Sequence, residues 1–217
     1  MVELVTGLDA TRVRAKLESA RREIERAGRS PDSVEIMAAV KYVPVDELGA
    51  LEGAGVSLLG ENRAQELLAK ADAYPGTFTW DFIGHLQSRK VSQLLPHVRY
   101  IQSVASDSAL DQLARHASPG TEVLIEVNVA GEASKSGIAP EELAGFLERC
   151  PVTVAGLMTM PPATASAEAS RPYFASLREL GERHGLRRLS MGTSQDYLVA
   201  VEEGATIIRL GTTLYAS

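Results

Sequence analysis

Residues 34–44 read VEIMAAVKYVP. Apart from Glu35, positions 34–40 are apolar, as in a strand covered on both faces. Lys41 closes the run, and Pro44 stops any continuation. An open doubly wound sheet would carry a glycine-rich turn directly after its first strand. Here that place holds AAVKYVP at 38–44. A closed barrel makes no such demand.

Outward from this stretch the chain alternates. Further apolar runs lie at 56–59, 78–83, 98–104, 122–128, 152–158, 188–191 and 206–210, which makes eight strands in all. Helical patterns fill the gaps at 45–54, 63–73, 87–95, 108–117, 140–149, 165–184 and 194–203. Strands alternating with helices predict a parallel sheet of βα units, and eight is the number that closes a (β/α)8 barrel. Before the first strand, Val13, Leu17, Ala20, Ile24 and Ala27 repeat at helical spacing. Asp9 or Thr11 caps that helix and Gly28 stops it. The low-complexity stretch PPATASAEAS at 161–170 reads as a surface loop or a frayed helix start. The expectation is a single α/β barrel domain over 1–217, a TIM barrel with an additional N-terminal helix.

Composition narrows the function classes. The chain has 217 residues, a formal charge of −6, 45% hydrophobic residues and one cysteine. Cys150 alone excludes an intrachain disulfide and multi-cysteine zinc patterns. The acidic balance speaks against nucleic acid and anionic membranes as partners. The start MVELVTGLDATRVRAKLESARREIERAG shows no signal-peptide pattern, and no apolar run approaches a membrane span. A cytoplasmic protein is expected. The basic residues comprise 17 arginines and only five lysines, at 16, 41, 70, 90 and 135.

In a (β/α)8 barrel the functional groups gather at the C-terminal ends of the strands. Lys41 stands at the end of strand one. It reads either as a side chain snorkelling to solvent or as an amine in a partly dry mouth, poised to form a Schiff base. Lys135, in NVAGEASKSG after strand five, reads as a solvated loop lysine or as a second amine over the mouth. Lys16 and Lys70 fall on helical segments and read as surface lysines. Lys90 falls in the first turn after FIGHLQSRK. Strand seven runs into Gly192-Thr193-Ser194, with Gln195 and Asp196 in the first turn of the next helix. Strand eight runs into Gly211-Thr212-Thr213. Glycine admits close backbone approach, and hydroxyls with free amides bind an anion. Each run also reads as an ordinary helix cap. The loops after strands seven and eight are the usual phosphate site of such barrels. Arg209 shares a strand face with Gly211. It requires either a structural carboxylate or a ligand acceptor. Asn62 caps the next helix or lines a ligand. Lysine, phosphate cradle and arginine together suit pyridoxal 5'-phosphate, whose aldehyde, phosphate and ring nitrogen need those three partners.

At these residues the chain resembles a known family. Lys41 after an apolar strand, GEN at 60–62 with Gln65 and Glu66, WDFIGHLQSRK at 80–90, VLIEVNVAGEASKSG at 123–137, GLMTM at 156–160, LSMGTSQD at 189–196 and IRLGTTLY at 208–215 are similar to the pyridoxal phosphate homeostasis proteins (the YggS/PROSC family). The resemblance implies a fold like the N-terminal barrel of alanine racemase. It implies pyridoxal 5'-phosphate held as a Schiff base on Lys41, with Ser194, Gly211 and Thr212 on its phosphate, Arg209 at the pyridine nitrogen and Asn62 lining the pocket. Lys135 matches a lysine of the family loop. MGTS stands where the family has MGMS, SRK where it has SNK, and LYAS where relatives continue past a Phe-Gly pair.

The resemblance implies a monomeric protein of vitamin B6 homeostasis that buffers or delivers the cofactor, in transient contact with apo-enzymes and without robust catalysis. An amino-acid racemase or decarboxylase on the same fold is the alternative; such relatives carry a second β domain, for which 217 residues leave little room. A third reading is an aldolase-type barrel in which Lys41 forms its own Schiff base, and this one predicts no chromophore.

Overall fold

Eight parallel strands close into a barrel in chain order. They are β1 Glu35–Ala39, β2 Leu58–Glu61, β3 Thr79–Phe82, β4 Tyr100–Val104, β5 Glu122–Glu126, β6 Thr153–Met158, β7 Arg188–Thr193 and β8 Ile207–Leu210. Closure is made by β1 and β8, which pair Met37 with Arg209 and Ala38 with Leu210. The computed structural model describes residues 4–132, 135–162 and 164–216. Ala133 and Ser134 of the predicted loop after strand five, Ala163 of the low-complexity stretch, and residues 1–3 and 217 lie outside the described residues.

The eight predicted strands are all present, with ends moved by at most two residues. The helices are α1 Ala10–Arg26, α2 Leu48–Gly53, α3 Ala64–Ala73, α4 Val91–Leu94, α5 Asp107–His116, α6 Leu143–Arg149, α7 Arg171–Arg183, α8 Tyr197–Glu202 and α9 Thr212–Tyr215. Several predicted helices open with a 3-10 turn, so their α segments are shorter than the apolar pattern suggests. Val45–Glu47, Ser88–Lys90, Pro140–Glu142 and Ala167–Ser170 are such turns. The last of these lies inside the low-complexity stretch. Helix α1 starts as expected: the Asp9 carboxylate accepts the Arg12 amide at 2.8 Å. Gly28 follows its end at φ +81°, a left-handed position that glycine takes without strain. No described helix is long and apolar enough to cross a membrane.

Strand alternation divides the core into two layers. Outward-facing residues such as Leu59, Trp80, Phe82 and Val123 pack under the helices. Inside the barrel, Met37, Leu58, Tyr100, Leu124, Met158 and Ile207 form a smaller apolar cluster. Above and beside it the lumen is polar: Asp81, Gln102, Ser190 and Arg209 are all buried. On this parity Met37 and Ala39 of the first strand point inward. So do Arg209 and Gly211 of the last.

Gly156 marks where two strands come closest. It pairs with Arg188 across β6 and β7. A Cβ there would lie 1.9 Å from the Arg188 carbonyl oxygen. That obstacle is backbone and cannot rotate aside. Gly156→Ala is therefore expected to cost about 3 kcal/mol of unfolding free energy, at the upper end for overpacking. Urea denaturation of the two proteins measures the difference.

Candidate functional site at the barrel mouth

Two strand exits, those of β1 and β2, are tied together by one buried ion pair. Glu61 ends β2 and faces α3. One of its carboxylate oxygens accepts the amides of Asn62 at 2.8 Å and Arg63 at 3.0 Å. The other accepts the Lys70 ammonium at 2.5 Å. Lys70 also donates to the carbonyl of Val40 at 2.8 Å. Lys70, predicted to be a surface lysine, is therefore only 1% exposed. The error has a visible cause. Ala64, Leu67 and Lys70 share the buried face of α3, so the lysine occupies an apolar stripe. The pair fixes the backbone directly before Lys41 and Asn62.

Lys41 follows in a turn, and its side chain is exposed. Its ammonium lies 4.7 Å from the centroid of the Tyr42 ring. The partly dry surroundings expected for this amine are thus not found; a strand exit at the mouth meets solvent. Asn62 does not cap α3. The cap position belongs to Arg63, which makes no side-chain cap bond. The Asn62 Oδ1 is buried without a partner. Gly84 presses against the same residue: a Cβ there would meet the Asn62 carbonyl at 1.9 Å.

Arg209 is 4% exposed. Among the described residues no carboxylate pairs with it directly, in contrast to the ion-pair alternative. Its Nη1 donates to the Ser190 carbonyl at 3.1 Å and the Ser190 hydroxyl at 2.9 Å. Its Nη2 donates to the Thr159 carbonyl at 2.8 Å and lies 3.0 Å from the Met160 sulfur. The Nε donor is buried and unpartnered. Burial pushes the guanidinium down to about 10, against the opposing pull of Glu126 and Asp196. It remains protonated at neutral pH. Glu126, at the end of β5, is itself pushed up by burial, while the Ser136 hydroxyl, donating at 2.7 Å, holds it down. Glu126 was not singled out from sequence. An acidic residue inside VLIEV carries the same signal as the arginine inside TIIRLG.

The ends of β7 and β8 meet at Ser194. Its Oγ accepts the amides of Gly211 and Thr213, both at 3.1 Å. Thr212, predicted to bind, is exposed at the start of α9. Gly192 turns at φ +90°, and a Cβ there would strike the Ala200 methyl at 2.5 Å. Helix α8 starts at Tyr197, later than expected, because Asp196 folds back instead. Its carboxylate accepts the amide and hydroxyl of Thr193 at 2.7 and 3.1 Å. The threonine that departs from the family pattern thus stiffens the loop.

Ser194 and Gly211 are bonded to each other at the end of β8, which lies beside the end of β1 that leads to Lys41. A built Cβ on Gly211 would lie 3.9 Å from the Ala39 Cβ, two residues before Lys41. The remaining lysines stay apart. Lys135 is exposed in its loop, Lys16 is half-buried on α1, and Lys90 donates to Gln93 at 3.2 Å. A cleft of about 220 Å³ at the β2 and β3 exits is lined by Asn62, His85 and Lys90 among others, and neither Lys41 nor Arg209 reaches it.

The chain is 41% identical, over 92% of its length and 93% of the relative's, to a pyridoxal phosphate homeostasis protein of Aquifex aeolicus. It belongs to the pyridoxal phosphate homeostasis protein family. No protein-family model matches the chain. Among solved structures it is similar to PipY of Synechococcus elongatus with pyridoxal phosphate bound, with a TM-score of 0.78 and 30% identity over 94% of this chain and all of that one. It also superposes on alanine racemase of Corynebacterium glutamicum with a TM-score of 0.75. That likeness, at 14% identity, covers 63% of the racemase and concerns the fold alone.

The Glu61–Lys70 pair yields a stability prediction. Lys70→Met leaves a carboxylate buried without its cation and is expected to cost about 3–5 kcal/mol. Glu61→Gln together with Lys70→Met removes both charges and should recover much of the loss. A double-mutant cycle in urea reads the coupling.

Proposed function

We propose that this barrel holds pyridoxal 5'-phosphate at its mouth and serves intracellular vitamin B6 homeostasis by buffering the cofactor or delivering it to apo-enzymes, without robust turnover of its own. The observation that carries this reading is the uncommitted Arg209 Nε–H. It is a buried donor in need of an acceptor, on the strand whose exit carries the amides of Gly211 and Thr213. An unprotonated pyridine nitrogen is such an acceptor, and a phosphate suits the amides. The relative's name and the bound cofactor of PipY support the same assignment.

In this reading Lys41 is the covalent anchor, reached from the inward face of β1. Ser194, Gly211 and Thr212 take the phosphate, with Thr213 adding the amide that now meets Ser194. Asn62 lines the pocket beside the ring. When bound, the cofactor supplies an aldehyde to primary amines and a ring that withdraws electrons. Arg209 weakens that second property. A guanidinium holding its proton at neutral pH donates to the ring nitrogen but does not protonate it. Chemistry that depends on a strong electron sink, such as decarboxylation, is disfavoured. Racemisation tolerates the arrangement and is the outcome to test against. The half-buried Cys150, its thiol pushed up by burial, suits a reducing cytoplasm.

The test is direct. The protein mixed with pyridoxal 5'-phosphate should develop a visible absorption band, and borohydride reduction with peptide mapping should place the label on Lys41. Lys41→Ala should remove both. Arg209→Ala and Ser194→Ala should each weaken retention by about tenfold, the loss of one charge-assisted hydrogen bond. A protein that stays colourless would overturn the reading. Rapid turnover of any amino acid, lost in Lys41→Ala, would replace it with a racemase or decarboxylase.

A further inference from the structure

A continuous hydrogen-bonded chain climbs inside the barrel from its floor to Arg209. At the floor, Glu35 of β1 accepts from Arg99 and Arg188, both at 2.6 Å. Arg99 grips Asp81 of β3 through Nε at 3.1 Å and Nη2 at 2.7 Å. The Gln102 amide nitrogen, on β4, donates to Asp81 at 2.7 Å. The Ser190 hydroxyl, on β7, donates to the Gln102 oxygen at 2.6 Å. Arg209 Nη1, on β8, donates to that hydroxyl at 2.9 Å. Asp81, Gln102 and Ser190 are each 0% exposed.

The direction of every link is forced. Around Asp81 all neighbours are donors: Arg99, Gln102 and the Tyr100 amide, the last at 3.2 Å. Asp81 therefore dictates which end of the Gln102 amide faces it. The Gln102 oxygen must then face Ser190, whose single hydrogen is consumed there. Only lone pairs of the hydroxyl remain for Arg209. Reversal of any link would bring two hydrogens face to face in a dry site.

We propose that Asp81, Gln102 and Ser190 are positioning residues that orient the Arg209 guanidinium and relay a distant negative charge to it. The role at the cofactor rests on the reading of Arg209 as partner of the ring nitrogen; the orientation itself does not. Two Arg209 nitrogens are committed by the relay and the Thr159 carbonyl, which leaves Nε as the donor for the ligand. Glu126 of β5 and the Asp196 carboxylate act on Arg209 through space, but neither bonds to it. The relay is thus the bonded route by which a carboxylate reaches this guanidinium among the described residues.

The decisive experiment moves the charge. Asp81→Asn removes the negative charge from the far end of the relay, while Arg209, which can only donate, still holds the Ser190 hydroxyl as its acceptor. Asp81→Asn with Gln102→Glu returns a carboxylate to the relay one link nearer to Arg209, with Asn donating to Glu and Glu accepting from Ser190. The single variant should weaken pyridoxal 5'-phosphate about tenfold and shift the absorption band of the bound cofactor; the double variant should return both toward wild type. Ser190→Ala, a smaller change, should repeat the single-variant effect if Asp81→Asn fails to fold. Side-chain NMR of arginine-labelled, cofactor-free protein reads the relay by itself: Arg209 should show slowly exchanging Nη–H signals that collapse in Ser190→Ala. Unaltered NMR signals in Ser190→Ala, or a double variant no better than the single, would overturn the relay. A protein that binds no cofactor yet shows the NMR effect would overturn only the functional reading.

Discussion

The Glu61 carboxylate is the constraint on which the mouth of this barrel depends. A strand exit has backbone donors and acceptors that the sheet no longer satisfies. At the β2 exit two of those donors converge on one oxygen of Glu61. At the β1 exit the Val40 carbonyl is taken by Lys70, which is held by the other oxygen of the same carboxylate. Two neighbouring strands thus share one charged clamp. The chain beyond it is set in direction on both sides, and Lys41 and Asn62 are the next residues in each case.

A second polar system lies on the opposite side of the strands, in the lumen. The first clamp works between strand and helix and uses a direct ion pair. The second uses neutral links and keeps its carboxylate far from the arginine it serves. The difference fits the tasks. A salt bridge to Arg209 would satisfy the guanidinium and occupy its donors. A relay through Gln102 and Ser190 compensates part of the charge and leaves one donor free. Burial pushes Arg209 down to about 10, while Glu126 and Asp196 pull the other way through space.

Much of the architecture was legible because βα units write their periodicity into the chain. The strand runs survive in the structure since both faces of each strand are buried. Helix starts were less legible: the 3-10 turns before α2, α4, α6 and α7 have the same apolar spacing as the helices they precede. Asp196 looked like a first-turn residue, but its side chain closes onto Thr193 and delays α8. Lys41, Arg209, Ser194 and Gly211 were singled out by strand-end position, a criterion that survives an error of a residue or two. Lys70 was missed since lysine on a helix is ordinarily solvated, and the residue that overrides that habit, Glu61, belongs to a different element. The luminal chain was invisible for a similar reason. Asp81, Gln102 and Ser190 are far apart in sequence, and only barrel closure brings them into one line.

The hydroxyl of Ser194 holds the amides of Gly211 and Thr213 where an anion would hold them. Those donors are already aimed and already satisfied. Arrival of a phosphate is an exchange of acceptors, not the ordering of a loop, and departure leaves no amide stranded. In the proposed site a phosphate would take over these two amides, and the Ser194 hydroxyl would turn its own hydrogen to the anion. Such a cradle keeps its donors in place without a ligand.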